Sequence, residues 1–416
     1  MVEKPYEWAD GANLEEHSRR KHKILREYVF DYLNVRCKLP QQECFRLAIV
    51  DGFAGGGRYL CGTAGSPLIF VEELKHAVEA VNTQRAVQGL GAIEVECLLI
   101  FNDANRDAIE LLKTQVAPLQ ADIAQTCPKL HIRVEYLNEL FEDAYPKIKG
   151  FLGQGRYRNV LFNLDQCGDR HVEQSTILDI MRSYPAAEIF YTFMISSLLA
   201  FLQKNEPKQL QARLNHLGVK SSDIETLNGF MSKNDWLGTA EKIVFDTFRL
   251  CAPYVSPFSI NNPGGWRYWL IHFANVYRAR QVYNNILHDN ASLQAHFGRS
   301  GLDMLSYDPR QDGELYLFDG DGRASAKRQL LSDIPRLVTE YGGAMPVMDF
   351  YENIYNFTPA HADDIHDAII DNHDLEVVTP TGGERRKANT ISVNDVIKLK
   401  QQTSFFPMFL RARSKA

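Results

Sequence analysis

The stretch that most constrains this chain runs from Arg46 to Tyr59. Four apolar residues, Leu47 to Val50, lead without a break into Asp51. A short apolar run bounded by turn residues reads as a strand buried on both faces. Gly52, Gly55, Gly56 and Gly57 follow as a loop poor in Cβ atoms, able to take positive φ and to let a ligand approach the backbone. Ser66-Pro67 then opens an amphipathic helix from Leu68 to Val81, with proline at its first position. Strand, acid, glycine loop and helix together predict a nucleotide-type site at the carboxyl end of a parallel sheet. It is not a P-loop, since no Gly-Lys-Ser/Thr follows. It is unlike the dinucleotide fingerprint too, whose third glycine falls where Leu60 stands.

At 416 residues, with 45% apolar side chains, the chain has length for one large domain and a small one. A net charge of −6 argues against wholesale attraction to nucleic acid, though not against local basic patches. Seven scattered cysteines form no Cys-x-x-Cys pair, which speaks against a zinc or iron–sulfur site and suits a reducing, cytoplasmic setting. No secretory leader is read at the N-terminus, and no apolar run is long enough for a membrane span.

Periodicity predicts a helix over 14–34, with Leu25, Tyr28, Val29, Tyr32 and Leu33 on one stripe. His17 and Lys21 continue that stripe, so they are expected to face the protein body, where a charged lysine needs a partner or a ligand. Residues 82–91 read as a connector. Strands are expected at 93–101, 131–136, 159–164 and 188–194, with helices at 105–118 and about 173–183 and a mostly helical stretch over 197–250. Strands at 254–260 and 267–274, joined by Asn261 to Gly265, read as a hairpin. The fold expected for residues 1–285 is therefore α/β and Rossmann-like, with five parallel strands plus a terminal hairpin and helices on both faces. Residues 286–326 read as a linker with exposed Asp-Pro and Asp-Gly turns. Residues 327–416 read as a small α+β domain of winged helix-turn-helix type: helices at 327–341, 347–355 and 360–370, then strands at 375–379 and 390–393 around a glycine wing. That wing carries Arg385, Arg386 and Lys387, candidates for phosphate contact, although Asp363, Asp364 and Asp367 make the preceding helix a poor surface for DNA. A dimerisation or partner-docking module fits the same layout.

Asp51-x-Phe53-Ala54-Gly55-x-Gly57 resembles the first motif of S-adenosylmethionine (SAM)-dependent methyltransferases. In such a site Asp103, at the end of the second strand, suits the two ribose hydroxyls, since a carboxylate accepts several hydrogen bonds. Asp51 through Gly57 form the rest of the cradle, and Asn138 or Glu139 would flank the adenine. Methyl transfer is an in-line displacement, so alignment is the main task. Asp165, with His17 and Lys21, is the candidate catalytic set at the fourth strand's end. The sequence Asp165-Gln166-Cys167-Gly168 lacks the Pro-Pro-aromatic of amino-methylating DNA enzymes, and Cys167 as a covalent nucleophile is the lesser reading.

The segments taken together resemble the three-Cys-motif partner family (TcmP). The matching residues are His17, Lys21, His22, Ile24 and Leu25; Asp51 to Tyr59; Gly65 to Leu68; and the Tyr-Trp-Leu-Ile-x-Phe-Ala run over 268–274. The family's Phe-x-Glu-Lys-Asp is met only loosely by Phe101, Asp103 and Asn105, and its Asp-Pro-Phe-Gly becomes Asp165-Gln166-Cys167-Gly168, which leaves the substrate pocket open. The resemblance implies a SAM-methyltransferase-like fold, a radical-SAM-like three-Cys-motif partner, and a bacterial accessory, mobile-element or antiviral-defence setting. Three functions compete: a SAM-binding methyltransferase acting on nucleic acid or with that partner; a Mg²⁺-dependent nuclease using Asp51, Asp103 and Asp165; and a non-catalytic scaffold holding DNA or a partner. No resident metal is expected in the first, and the oligomeric state is not readable.

Overall fold

The computed structural model describes Trp8 and residues 11–166, 172–195, 219, 242–261, 267–290, 294–297, 301–302 and 315–400. The chain divides into two units, one spanning 1–299 and 306–319, the other 300–305 and 320–416. The expected Cys167 and Gly168, the turn at 262–266, the Asp-Pro turn at 308–313 and most of the helical stretch 197–250 lie outside the described residues.

The larger unit is a mixed α/β fold. It begins with α1 (Glu16–Arg36), β1 (Cys44–Asp51), α2 (Ser66–Val87), β2 (Glu94–Asn102), α3 (Arg106–Thr126), β3 (Leu130–Leu137) and α4 (Phe141–Gln154). It continues through β4 (Asn159–Leu164), α5 (Gln174–Ser183), β5 (Ala186–Phe193), β6 (Tyr254–Asn261), β7 (Arg267–Ala274), α6 (Tyr277–Asp289), β8 (Gln294–Phe297) and β9 (Leu315–Leu317). The sheet order is β3-β2-β1-β4-β5-β7-β6-β8-β9. The first five strands are parallel and the remaining pairings antiparallel.

β1 is the strand from which the order runs both ways, to β2 on one side and β4 on the other. Such a switch point opens a crevice at the strands' carboxyl ends. Leu47 to Val50 are fully buried, as the unbroken apolar run requires of a central strand. Leu47, Ile49 and Val50 each contribute about 1.5–3 kcal/mol by leaving water, and Ala48 less. α1 buries the expected stripe and packs along α2 and α6.

Several boundaries differ from the sequence reading. α2 continues to Val87 through the supposed connector, and α3 runs to Thr126 rather than 118. The interior Pro118 did not stop it. α4 was not anticipated at all. The supposed linker 286–326 contains the end of α6, the short strands β8 and β9, which add to the sheet beside β6, and the start of the next helix. Strands of four and three residues carry no periodic signal; β8 is fixed by pairing to β6, more than thirty residues earlier, and β9 by pairing to β8.

The smaller unit contains α7 (Gly320–Glu340), β10 (Ala344–Pro346), α8 (Val347–Ile354), α9 (Ala362–Asp371), β11 (Leu375–Val378) and β12 (Val396–Leu399). Its antiparallel sheet has the order β10-β12-β11. The strand expected at 390–393 is displaced to β12; residues 388–390 instead form one turn of 3₁₀ helix. The Asp-Gly-Asp-Gly run that read as an exposed turn opens α7.

Candidate functional site

A cleft of about 810 Å³ opens at the carboxyl ends of the parallel strands. Its floor is Gly52 to Gly55 after β1, Asn102 to Asn105 after β2, Glu139 to Asp143 after β3 and Asp165-Gln166 after β4. Its roof is the first turns of α1, with His17, Ser18, Lys21 and His22, together with Trp8, Tyr59 and Tyr268. The volume is in the usual range for a cofactor site.

The glycine loop is held by hydrogen bonds to its two neighbouring strands, β2 and β4. The Gly52 N–H donates to the Asn163 carbonyl (2.9 Å) and the Ala54 N–H to that of Asn102 (2.8 Å). The Asn102 side chain donates to the Gly52 and Glu139 carbonyls. Gly55 and Gly57 take φ of +64° and +94°, which side chains other than glycine rarely adopt. The space expected for a ligand is partly used by the protein itself. A Cβ on Gly55 or Gly56 would collide with the Trp8 ring, and one on Gly57 would press on Leu112 of α3. Gly57 and Gly56 therefore serve packing, and Gly57 does not reach the cleft.

Asp103 lines the cleft. Its Oδ2 accepts the Gly55 N–H and its Oδ1 the Asn105 N–H, both at 2.8 Å. Burial raises its pKa, and these two N–H donors pull it back. Each oxygen keeps one further lone-pair direction. Asn138 is exposed and donates to the Asp103 carbonyl; it does not line the cleft, and Glu139 and Leu140 stand there instead.

Asp51 lies behind the loop, fully buried and outside the cleft lining. Its Oδ1 accepts from Asn163 (3.1 Å) and from the Phe53 N–H (3.4 Å), while Oδ2 has no hydrogen-bond partner. Burial pushes its pKa up to about 7, against the opposing pull of Ser66 and Asn163.

Lys21, on the roof, donates to Asp165 Oδ1 at 2.5 Å. Burial alone would raise the Asp165 pKa, but the Lys21 charge and hydrogen bond and the Thr192 hydroxyl outweigh it and hold it below the usual carboxylate range. His17 stacks on Tyr268, with centroids 4.2 Å apart, and sits 3.0 Å from a Glu15 carboxylate oxygen. Burial, then Lys21, pushes its pKa down to about 3; His22 falls to about 4 for the same first cause. Both imidazoles are therefore neutral at pH 7. The three candidate catalytic residues thus meet in one place.

Sequence reasoning missed Trp8, Tyr59, Tyr268 and His22 as cleft residues, and Asn102 and Asn163 as the loop's anchors. The two asparagines did leave a signal, each being a polar residue at the end of an apolar strand. Asp51, Asp103 and Asp165 do not converge as a metal-binding triad: each is committed to different partners. Among the described residues, no group of three His, Cys, Asp or Glu stands close enough to hold a metal ion.

In the smaller unit, the basic trio separates. Arg385 is committed to buried Asp395 through two hydrogen bonds of 2.9 and 3.2 Å, while Arg386 and Lys387 remain exposed. Asp364 is likewise not a surface charge; it is buried and paired with Arg323 (2.6 Å) and Lys327 (2.9 Å) of α7. Arg385→Ala is expected to cost about 3 kcal/mol by stranding Asp395, and Arg386→Ala to change stability by less than about 0.5 kcal/mol. Paired urea melts distinguish them.

No family model and no curated protein matches this chain. No described helix is long and apolar enough to cross a membrane.

Proposed function

We propose that the chain is a SAM-binding, methyltransferase-like protein of the three-Cys-motif partner type, acting on nucleic acid or beside a radical-SAM-like partner. The observation that carries the reading is Asp103: a carboxylate at the end of β2, at the lip of a cofactor-sized cleft, with lone pairs free on both oxygens. Supporting it is the strand order, in which β1 borders the crevice and an antiparallel pair, β7 and β6, follows five parallel strands.

In this reading Asp103 accepts the two ribose hydroxyls, and Glu139, Leu140 and Phe141 border the adenine. Gly52 to Gly55 offer a backbone surface to the amino-acid end, with the Asp51 carboxylate behind it. SAM supplies an electrophilic methyl group on a sulfonium. The chain's residues orient the acceptor against it. Lys21 fixes the Asp165 carboxylate in its ionised form, and the neutral His17 and His22 rings each keep an acceptor nitrogen for a proton or hydrogen bond leaving the acceptor. The smaller unit's order of helix, strand, two helices and two strands supports a winged-helix reading, with Arg386 and Lys387 as its remaining phosphate contacts.

Isothermal titration with S-adenosylhomocysteine tests the proposal. The protein is expected to bind, and Asp103→Ala to weaken binding about tenfold or more, the loss of charge-assisted hydrogen bonds to the ribose. A folded protein that binds neither SAM nor its demethylated product would overturn it.

A further inference from the structure

The sheet ends on β3, and this edge is of an unusual kind. Leu130 to Leu137, Leu-His-Ile-Arg-Val-Glu-Tyr-Leu, is eight residues long with no proline. The opposite edge, β9, has only three residues. Natural sheets blunt a long edge with proline, bulges, unpaired charge or a covering element. Here, among the described residues, β3 pairs only with β2, so its other side is left without a strand.

The direction of the free groups follows from the pairing with β2. The Val95 N–H donates to the Lys129 carbonyl (2.8 Å) and the Asp103 N–H to the Leu137 carbonyl (3.3 Å). The unbroken register from Val95–Leu130 to Asn102–Leu137 carries that alternation along the strand. Odd-numbered residues of β3 therefore turn their backbone groups to β2. Ile132, Val134 and Tyr136 turn theirs outward, with no partner among the described residues.

We infer that β3 is a self-association edge, and that its occupant is β3 of a second copy of this chain, antiparallel about a two-fold axis through Val134. Val134 then faces Val134 of the second copy, and Ile132 faces Tyr136, each pair exchanging both N–H···O=C bonds. The same register sets Arg133 opposite Glu135 of the second copy, and Glu135 opposite its Arg133. Those positions are the non-hydrogen-bonded ones, where facing side chains come closest. In the single chain Arg133 turns along its own strand and donates twice to Glu135 (2.9 and 2.6 Å). The two charges thus cancel, leaving no net charge to repel a second copy. A strand whose charges are complementary to its own reversed sequence fits an isologous contact and no particular foreign peptide.

Sedimentation velocity over a micromolar concentration series tests the inference. The full chain is expected to sediment at twice its mass. Arg133→Glu, which sets like charges opposite each other at both ends of the axis, is expected to weaken association about tenfold or more. Adding Glu135→Arg to it restores the complement and is expected to restore the dimer. Val134→Pro removes an outward N–H that has no partner among the described residues, so it is expected to yield a folded monomer, checked by its thermal melt. A wild-type chain that stays monomeric overturns the inference, as does a dimer that survives both Arg133→Glu and Val134→Pro. Arg133, Val134 and Glu135 do not line the cleft, so sedimentation reads association separately from SAM binding.

Discussion

Asp51→Asn is expected to make the protein more stable at pH 8 than the wild type. The carboxyl's pKa is raised from 3.8 to about 7 in the folded chain, because burial disfavours the charge. A raised acid means that the folded state holds the proton more tightly than the unfolded one. Stability therefore falls as pH climbs from about 4 to about 7, and the full penalty applies above that. About three pH units at about 1.4 kcal/mol each put the penalty at roughly 4 kcal/mol. Asparagine keeps the oxygen that accepts from Asn163 and Phe53 and carries no charge to desolvate. Urea melts at pH 5.5 and pH 8 read the result: the variant's advantage should be large at pH 8 and shrink toward pH 5.5. An equal advantage at both pH values, or none at pH 8, would refute the assignment of that carboxyl. So costly a charge behind the glycine loop is what the proposed cofactor role would ask the chain to keep.

Lys21→Met is expected to act in the opposite direction. It removes the cation that holds Asp165 ionised and, among the described residues, leaves that carboxylate the Thr192 hydroxyl as its hydrogen-bond donor. Asp165 keeps about a quarter of its side chain exposed (24%), so breaking one side of this part-buried pair costs about 1–3 kcal/mol at pH 7. The sign of the pH dependence should change as well. In the wild type the depressed Asp165 pKa contributes stability above the ordinary carboxylate range, lost only as pH falls through its lower folded value. In Lys21→Met the carboxyl is governed by burial, so the variant should regain stability as pH is lowered toward 5. Lys21→Met with Asp165→Asn should recover most of the loss, since no buried charge is then stranded. If the double variant is no more stable than the single, the pair is not what holds α1 over the cleft.

The readable parts of this molecule were those fixed by neighbours along the chain. β1 declared itself by an unbroken apolar run, the loop by its glycines, α2 by Ser66-Pro67 and the roof residues by the spacing of His17 and Lys21 on an apolar stripe. β6 and β7 were visible because each alternates or runs apolar over eight residues. What stayed hidden was set by contacts distant in sequence. Nothing near Trp8 announces that it will cover Gly55 and Gly56. Arg385 looks like a phosphate ligand until Asp395, ten residues on, is brought beside it by β12. β8 and β9 are too short to have a period; pairing to β6 makes β8 a strand, and pairing to β8 makes β9 one. Asp364 reads as part of an acidic surface because the cations that neutralise it belong to α7, some forty residues earlier.

The stacking of His17 on Tyr268 joins the two ends of the larger unit, 251 positions apart. Such a contact closes one of the longest loops the chain can make, and loop closure of that span is entropically unfavourable until the intervening elements have assembled. On a ribosome, the first helix can settle on α2 early, yet its His17 has no ring to stack on until the seventh strand has been made. The central strands can pair in the meantime, so a nascent chain would possess its sheet and glycine turn before it possessed a roofed chamber. Closure of the cleft is thereby deferred to the completed domain, a timing written into where the roof residues lie in the sequence.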